Sequence, residues 1–337
     1  MTHFPGITRR GLLASALAMT AGGSAMTHAV TEALAQSAYP DKPIRLIVPY
    51  AAGGGTDFFA RAVGTAMSAS LGQTLVIENR PGAGTIIGAE AAAKADPDGY
   101  TILLGDTSTY ASNQGLYRKL PYNAQKDFAP ITLTGRFAMV LLVNTDKLKV
   151  DSLQGLIDLA KKEPGKIDYA SAGVGSPFHL ATELLAQSAG IKLNHVPYKG
   201  AGPAVQDLVG GQIGMMLVDY ATGRSQLTTK NIKAIGVSSA GQFSMLPDVP
   251  PISATVPGFE AWAWQGLSAP AKTPASAIKT INEAYAKAIS DEGLKKKITD
   301  AGIDVLHSSP EEMAQYIASE TAKWDKVIKA ANIELQL

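Results

Sequence analysis

Short apolar, β-branched runs alternate along this chain with longer stretches in which apolar positions recur every three or four residues. The runs Ile44–Pro49, Leu75–Glu78, Thr101–Gly105, Ala138–Asn144, Ile167–Ala170, Asn194–Val196, Ile213–Val218 and Lys233–Val237 predict strands. The periodic stretches Asp57–Ser70, Ile86–Ala95, Leu153–Lys162, Phe178–Ala189, Ala204–Val209, Ala275–Ser290 and Glu311–Ala331 predict helices. Such alternation gives an α/β fold, in which mostly parallel sheets are flanked by helices. Right-handed crossovers place the strand-to-helix turns on one edge.

Four of these turns are rich in glycine: PYAAGGGTD after IRLIV, NRPGAGT after LVIE, SAGVGS after IDYA, and KGAGP after HVPY. Each aims unpaired backbone N–H groups and the positive end of a helix dipole at one spot, which suits an anion. A tight turn with a cap accounts for any one of them alone. Thr56 or Asp57 is the natural cap of the first helix, and Ser176 followed by Pro177 caps the fourth. Gly82 to Gly88 resembles a dinucleotide fingerprint, with Asp106 where a ribose-binding acid would stand. However, Glu78-Asn79-Arg80-Pro81 separates those glycines from their strand, which argues against it. His179 lies in the first turn of its helix, where it either reaches a ligand or, as a lone histidine more often does, serves the structure, whereas His195 reads as a strand residue with a satisfied ring. Asp219 ends a strand, where open α/β sheets bind ligands, although a solvated turn explains it equally.

The first 35 residues stand apart. Thr8-Arg9-Arg10-Gly11-Leu12-Leu13 is a twin-arginine start; an apolar stretch follows, then the small-x-small signal Ala33-Leu34-Ala35. The apolar run, interrupted by Gly22, Gly23 and Ser24, falls short of the roughly 20 residues a membrane span needs. Residues 1–35 therefore read as a Tat-type signal peptide, cleaved near Ala35, and the product as periplasmic. Cleavage lowers Lys+Arg from 30 to 28 and Asp+Glu from 29 to 28, leaving a nearly neutral chain without a basic stripe for nucleic acid. There is no cysteine, which removes disulfides, a thiolate nucleophile and a lipid anchor on an N-terminal Cys.

About 300 mature residues exceed what one core usually holds, so two lobes are expected. The stretches Phe128–Asn144 and Leu246–Pro274 are the candidate crossings, and the last helices are expected to return over the first lobe. This gives 36–139 plus 259–337 as one lobe and 140–258 as the other, with a ligand cleft between them. The sequence has no Walker A lysine, GxSxG elbow, HExxH, EF-hand loop or metal-spaced cluster, so neither a covalent nor a metal-assisted reaction is indicated.

The motifs together resemble the receptors of tripartite tricarboxylate transporters, the Bug proteins. The resemblance runs from Tyr39-Pro40 to Ile328-Lys329-Ala330 and is carried by YPDKPIR (39–45), IVPYAAGGGTD (47–57), ENRPGAGT (78–85), PDGYTILL (97–104), YASAGVGSPFHLATELL (169–185), VPYKGAGPAVQDLVGGQ (196–212), LPDVP (246–250) and GLSAPAKTP (266–274). It implies a two-lobe, type II-like flytrap of the periplasmic-binding-protein kind, without enzymatic activity or cofactor. A small carboxylate would be held largely by backbone groups and handed to membrane permease subunits. Carried onto this chain, the implied ligand-binding residues are Tyr50, Ala52, Gly53 and Gly54 on one side and Ser171, Gly173, Gly175 and Ser176 on the other. Thr107 and Ser108 look similar to a further contributing loop, and Asp219 takes a position that meets a ligand amine in amino-acid-binding members; Gly84 and His179, from the turns themselves, complete the candidates. Gly214 departs from the family pattern, which often has an acid there. The expected protein is a monomer; a solute sensor, an exported hydrolase and an oxidoreductase are the alternatives. Trp262 and Trp264 stand either in a hinge or core or against an aromatic ligand.

Overall fold

A computed structural model describes Met1 and Tyr39–Leu335, so the twin arginines and the cleavage signal lie outside the described residues. The fold of residues 42–335 rests on ten strands: β1 (Ile44–Val48), β2 (Leu75–Asn79), β3 (Thr101–Asp106), β4 (Phe128–Asn144), β5 (Asp168–Ser171), β6 (Asn194–Pro197), β7 (Met215–Asp219), β8 (Ile232–Val237), β9 (Trp262–Pro270) and β10 (Ile303–Val305). Between and after them come helices α1 (Gly55–Leu71), α2 (Ile86–Ala93), α3 (Asn113–Leu116), α4 (Thr145–Leu148), α5 (Leu153–Lys162), α6 (Pro177–Ala189), α7 (Ala201–Val209), α8 (Tyr220–Gly223), α9 (Ala275–Ile289), α10 (Glu292–Thr299) and α11 (Pro310–Ala330).

The strands run in the order β2-β1-β3-β9-β4-β7-β5-β6, with β10 and β8 also paired to β4. Strand β4 is the junction. Its residues up to Ala138 pair with β9, and Gly135–Phe137 pair with β10. From Met139 onward the same strand pairs with β7 and β8. Beside this switch the chain returns: Ser238 donates its N–H to the Met139 carbonyl at 2.8 Å and accepts the Met139 N–H on Oγ at 2.9 Å. Ala261 N–H then bonds the Ser238 carbonyl and leads into β9.

The expected parallel pairing holds for three strands on each side, β2-β1-β3 and β7-β5-β6; β4, β8, β9 and β10 join antiparallel. Strand β9 was not expected from the sequence. It is buried along nearly all its length, so its apolar residues run without the alternation that marks a half-exposed strand. The three-residue β10 and helix α10 also escaped sequence reading, whereas β4 fills the whole of the strand-rich stretch Phe128–Asn144.

Trp264 of β9 is fully buried, donates its indole N–H to Glu320 Oε2 of α11 at 3.0 Å, and stacks on Tyr110. Trp324 donates to the same oxygen at 2.9 Å, so one buried carboxylate fixes two indoles. Trp262 lies under the Arg136 guanidinium, 3.9 Å from the ring centroid, and bonds Glu260. Trp262 thus serves the packing, whereas Trp264 is packed in the core and also borders the cavity described below. Helix α11 also reaches α6, where Gln187 Nε2 bonds the Val327 carbonyl at 3.1 Å. The Gly214 departure has a packing reason: a Cβ there would stand 2.7 Å from the Leu148 side chain, leaving no space for an acid.

Candidate functional site

All four glycine-rich turns meet in one cavity of about 990 Å³. Its wall includes Tyr50 and Gly53 to Thr56 from the first turn, Gly84 and Thr85 from the second, Ala172 to Pro177 from the third, and Gly200 and Ala201 from the fourth. The floor comes from the sheet: Asp106 at the end of β3, Phe137 of β4, Ala263 and Gln265 of β9, and Ile303 of β10.

In the first turn only Gly53 needs the left-handed region, with φ +89°. Neither Thr56 nor Asp57 caps α1. The cap position is Gly54, and no side chain bonds the helix terminus, which leaves its N–H groups for other acceptors. Asp57 instead folds back: Oδ2 accepts the Gly53 N–H at 2.9 Å, Oδ1 accepts from Asn79 at 2.9 Å, and Arg61 pairs with it at 3.0 Å. Burial works against its charge, but these donors hold the carboxyl down at about 2. Asn79 also bonds the Tyr50 carbonyl, tying the end of β2 to the turn after β1.

Tyr50 donates its O–H to Asp106 Oδ2, while Asp106 Oδ1 accepts the Thr109 N–H and hydroxyl, each at 2.9 Å. Burial pushes the Asp106 carboxyl up, and burial together with the Asp106 charge pushes the Tyr50 hydroxyl up. Asn113 carries the network to the second turn through the Gly84 carbonyl at 2.8 Å and to Tyr122 at 3.3 Å.

The third turn is built from beneath. Ser176 accepts the His179 N–H as cap, and Pro177 begins α6, as its sequence predicts. Gly175, at φ +76°, packs so closely on Leu116 that a Cβ would lie 2.6 Å from it. Its N–H is accepted by His179 Nδ1 at 2.9 Å, so the ring is neutral with its proton on Nε2. The His195 ring stacks on His179 at 3.8 Å between centroids and bonds Ser171 Oγ at 2.6 Å. Ser171 Oγ in turn accepts the Gly173 N–H at 3.1 Å. Burial pushes both rings down, His179 to about 3 with help from His195, and His195 to about 4.

Of the residues singled out by sequence, Tyr50, Gly53, Gly54, Gly84, Ser108, Gly173, Gly175, Ser176 and Asp219 line the cavity. Asp219 caps α8 by accepting the Thr222 N–H at 2.9 Å, and burial pushes its carboxyl up. Ala52 is exposed beside the cavity wall. Ser171 and His179 lie beneath their turn, and Thr107 is buried against Trp264, whose N–H it accepts at 3.0 Å. Sequence reading missed Asn113, Phe137, Arg224, Gln265 and Lys297 on the wall. None belongs to a turn motif, and Gln265 sits in the strand that periodicity did not reveal.

Residues 59–333 match the family described as tripartite tricarboxylate transporter family receptor. The chain belongs to that family. Among its relatives, a UPF0065 protein from the tcbD-tcbE intergenic region of Pseudomonas sp. (strain P51) is 40% identical over 306 residues, 90% of each chain. BugT of Bordetella pertussis is 33% identical over 312 residues, 92% of this chain and 95% of BugT. Similar solved structures include Rpa4515 of R. palustris with adipate (TM-score 0.80, 32% identity, 88% of this chain and 100% of that one). MatC from Rhodopseudomonas palustris with bound malate has TM-score 0.76 and 32% identity, covering 86% and 100%. The periplasmic binding protein BugD has the same score and identity, covering 89% and 100%. The chain is thus a solute-binding receptor of the Bug type, not an enzyme, with the two-lobe fold of periplasmic binding proteins. No helix among the described residues is long and apolar enough to cross a membrane.

Two predictions follow from the receptor's turns. Gly54 has φ −83°, and a Cβ there meets only the Ala51 carbonyl, at 4.0 Å. Gly54→Val should therefore leave the melting temperature of the ligand-free receptor within about 2 °C. If this turn faces the ligand, the same change weakens binding at least about tenfold in calorimetric titration; near wild-type affinity would show it to be scaffold.

The histidine pair gives a pH dependence. Both rings have folded pKa values depressed below the ordinary value of about 6.5, so their contribution is complete above that pH and is lost as pH falls toward 4 and 3. The melting temperature should fall as pH drops from 6.5 to 4. His179→Asn, whose amide oxygen can accept the same Gly175 N–H, should make that fall shallower; an unchanged slope assigns it to other groups.

Proposed function

We propose that the receptor captures a small carboxylate between two lobes, 36–139 plus 259–337 and 140–258, and delivers it to membrane permease subunits of a tripartite-type transporter. The observation that carries this reading is the convergence of four glycine-rich turns, drawn from both sides of the β4 switch, on one cavity. Helices α1, α2 and α7 begin there without a side-chain cap, so their N–H groups and dipoles are available to an anion. Each helix terminus contributes about 0.3–1 kcal/mol. Hydrogen bonds to a charged group contribute about 1.5–3 kcal/mol each. A few of each reach the roughly −8 kcal/mol of micromolar binding. Adipate and malate in two similar structures are acids of this class.

The proposed contacts are Tyr50, Ala52, Gly53, Gly54, Gly84 and Ser108 on one side and Gly173, Gly175, Ser176 and Asp219 on the other. Ser171, His179 and Thr107 act through the turns they support. The receptor works as a monomer and binds no nucleic acid.

Export through Arg9-Arg10 and cleavage after Ala35 complete the reading. Protein purified from the periplasm should have the intact mass of a chain beginning at Gln36, and an uncleaved cytoplasmic product would overturn this step. After ligand removal by unfolding and refolding, a panel of mono-, di- and tricarboxylates should include at least one that raises stability. At about 100 times its Kd the gain is about 2.7 kcal/mol, a shift of a few degrees. Deleting the receptor should then abolish uptake of that acid. A panel without any shift overturns carboxylate capture, and undiminished uptake overturns delivery.

A further inference from the structure

The floor of the cavity holds a buried polar side chain that has no hydrogen-bonding partner among the described residues. Gln265 is fully buried on β9, yet neither Nε2 nor Oε1 of its amide has a hydrogen-bonding partner among the described residues. Other polar side chains on the same wall are engaged: Asp106 by Tyr50 and Thr109, Asp219 by Thr222, and Asn113 by the Gly84 carbonyl and Tyr122.

The strand register places Gln265 on the face of the sheet that floors the cavity, with its amide covered. Gln265 pairs with Asp106 of β3 on one side and with Gly135 of β4 on the other. Directly paired residues share a face, as do residues two apart on one strand. Asp106, Gln265, Ala263 and Phe137 therefore form one patch, and all four line the cavity. Gly135 faces this amide: a Cβ there would lie 3.6 Å from Gln265 Nε2, an ordinary contact, and 3.1 Å from the Ile303 side chain.

A buried amide with both ends unmatched is costly, and a methionine of similar length would avoid the cost. A group entering the cavity satisfies both ends only if it both donates and accepts. A carboxylate accepts from Nε2 but leaves Oε1 unmatched, and it sets a negative charge beside Asp106, one strand away. A hydroxyl or a carboxamide does neither. Building on the carboxylate reading above, we infer that Gln265 selects the far end of the ligand, favouring acids that end in a hydroxyl or carboxamide over those that end in a second carboxylate.

Matched acids test this on the ligand-free receptor by calorimetric titration. Butyrate, 4-hydroxybutyrate, succinate and succinamate share one head group and differ at the far end; hexanoate, 6-hydroxyhexanoate, adipate and adipamate repeat the series in a longer chain. In at least one series the hydroxyl- or amide-ended acid should bind about tenfold more tightly than both the methyl-ended and the carboxylate-ended one. In Gln265→Met the ratio between hydroxyl-ended and methyl-ended acid should fall to about one, while the ligand-free protein melts no lower than wild type. A dicarboxylate that binds most tightly in both series, or an order of affinities unchanged in Gln265→Met, overturns the inference and leaves carboxylate capture standing. If none of these acids binds, the inference is overturned, and carboxylate capture is decided by the wider panel described above.

Discussion

The structure depends on a single strand serving two sheets. Over 17 residues β4 lends its first part to β9 and β10 and its second to β7 and β8, so both halves of the molecule are built on one continuous backbone. Because the hydrogen-bonding partners change at Ala138 and Met139, the turns that follow strands on either side open toward a common space. The return of the chain at Ser238 is fastened to that same point by two hydrogen bonds. Any relative movement of the halves is thereby referred to a pair of adjacent crossings.

Recognition through backbone groups, as proposed for this receptor, has a structural cost, since an amide has no side chain by which to be held in place. The fold meets it with a second layer. Behind the first and second turns stand Asp57, Asn79, Asp106, Thr109 and Asn113; behind the third stand Ser171 and two stacked neutral histidines. Burial keeps the imidazoles uncharged, so His179 can act as acceptor for an N–H where a protonated ring would repel it. The same layer explains why His179 and Ser171 look functional in the sequence and yet lie under the surface they shape.

Much of this was legible in advance because the informative elements are local. Strands such as Leu75–Asn79 and helices such as Leu153–Lys162 carry their period within a few residues, and the Ser176-Pro177 start of α6 is a purely local signal. Asp219 could be placed because strand ends in open sheets are where ligands gather. The capping roles given to Thr56 and Asp57 failed for a tertiary reason: Arg61 and Asn79 draw the Asp57 carboxylate back, and it closes on Gly53 instead. Gln265 and Phe137 were invisible because they lie in strand segments that are buried or paired on both sides, where an apolar run has no phase. Nothing in AWAWQGLSAP marks which of its buried residues border the cavity.

The use of main-chain donors also has an evolutionary consequence. A side-chain contact can be lost by one codon change, whereas the N–H groups of Gly54 and Gly55 persist whatever residue stands there, provided the turn keeps its shape. Under the proposed reading, mutation has little purchase on the head group and much on the floor, where residues such as Gln265 and Phe137 contribute only their side chains. A lineage of such receptors can therefore change its diet by altering a few sheet positions while its turns, and the acid end they hold, stay recognisable across distant relatives.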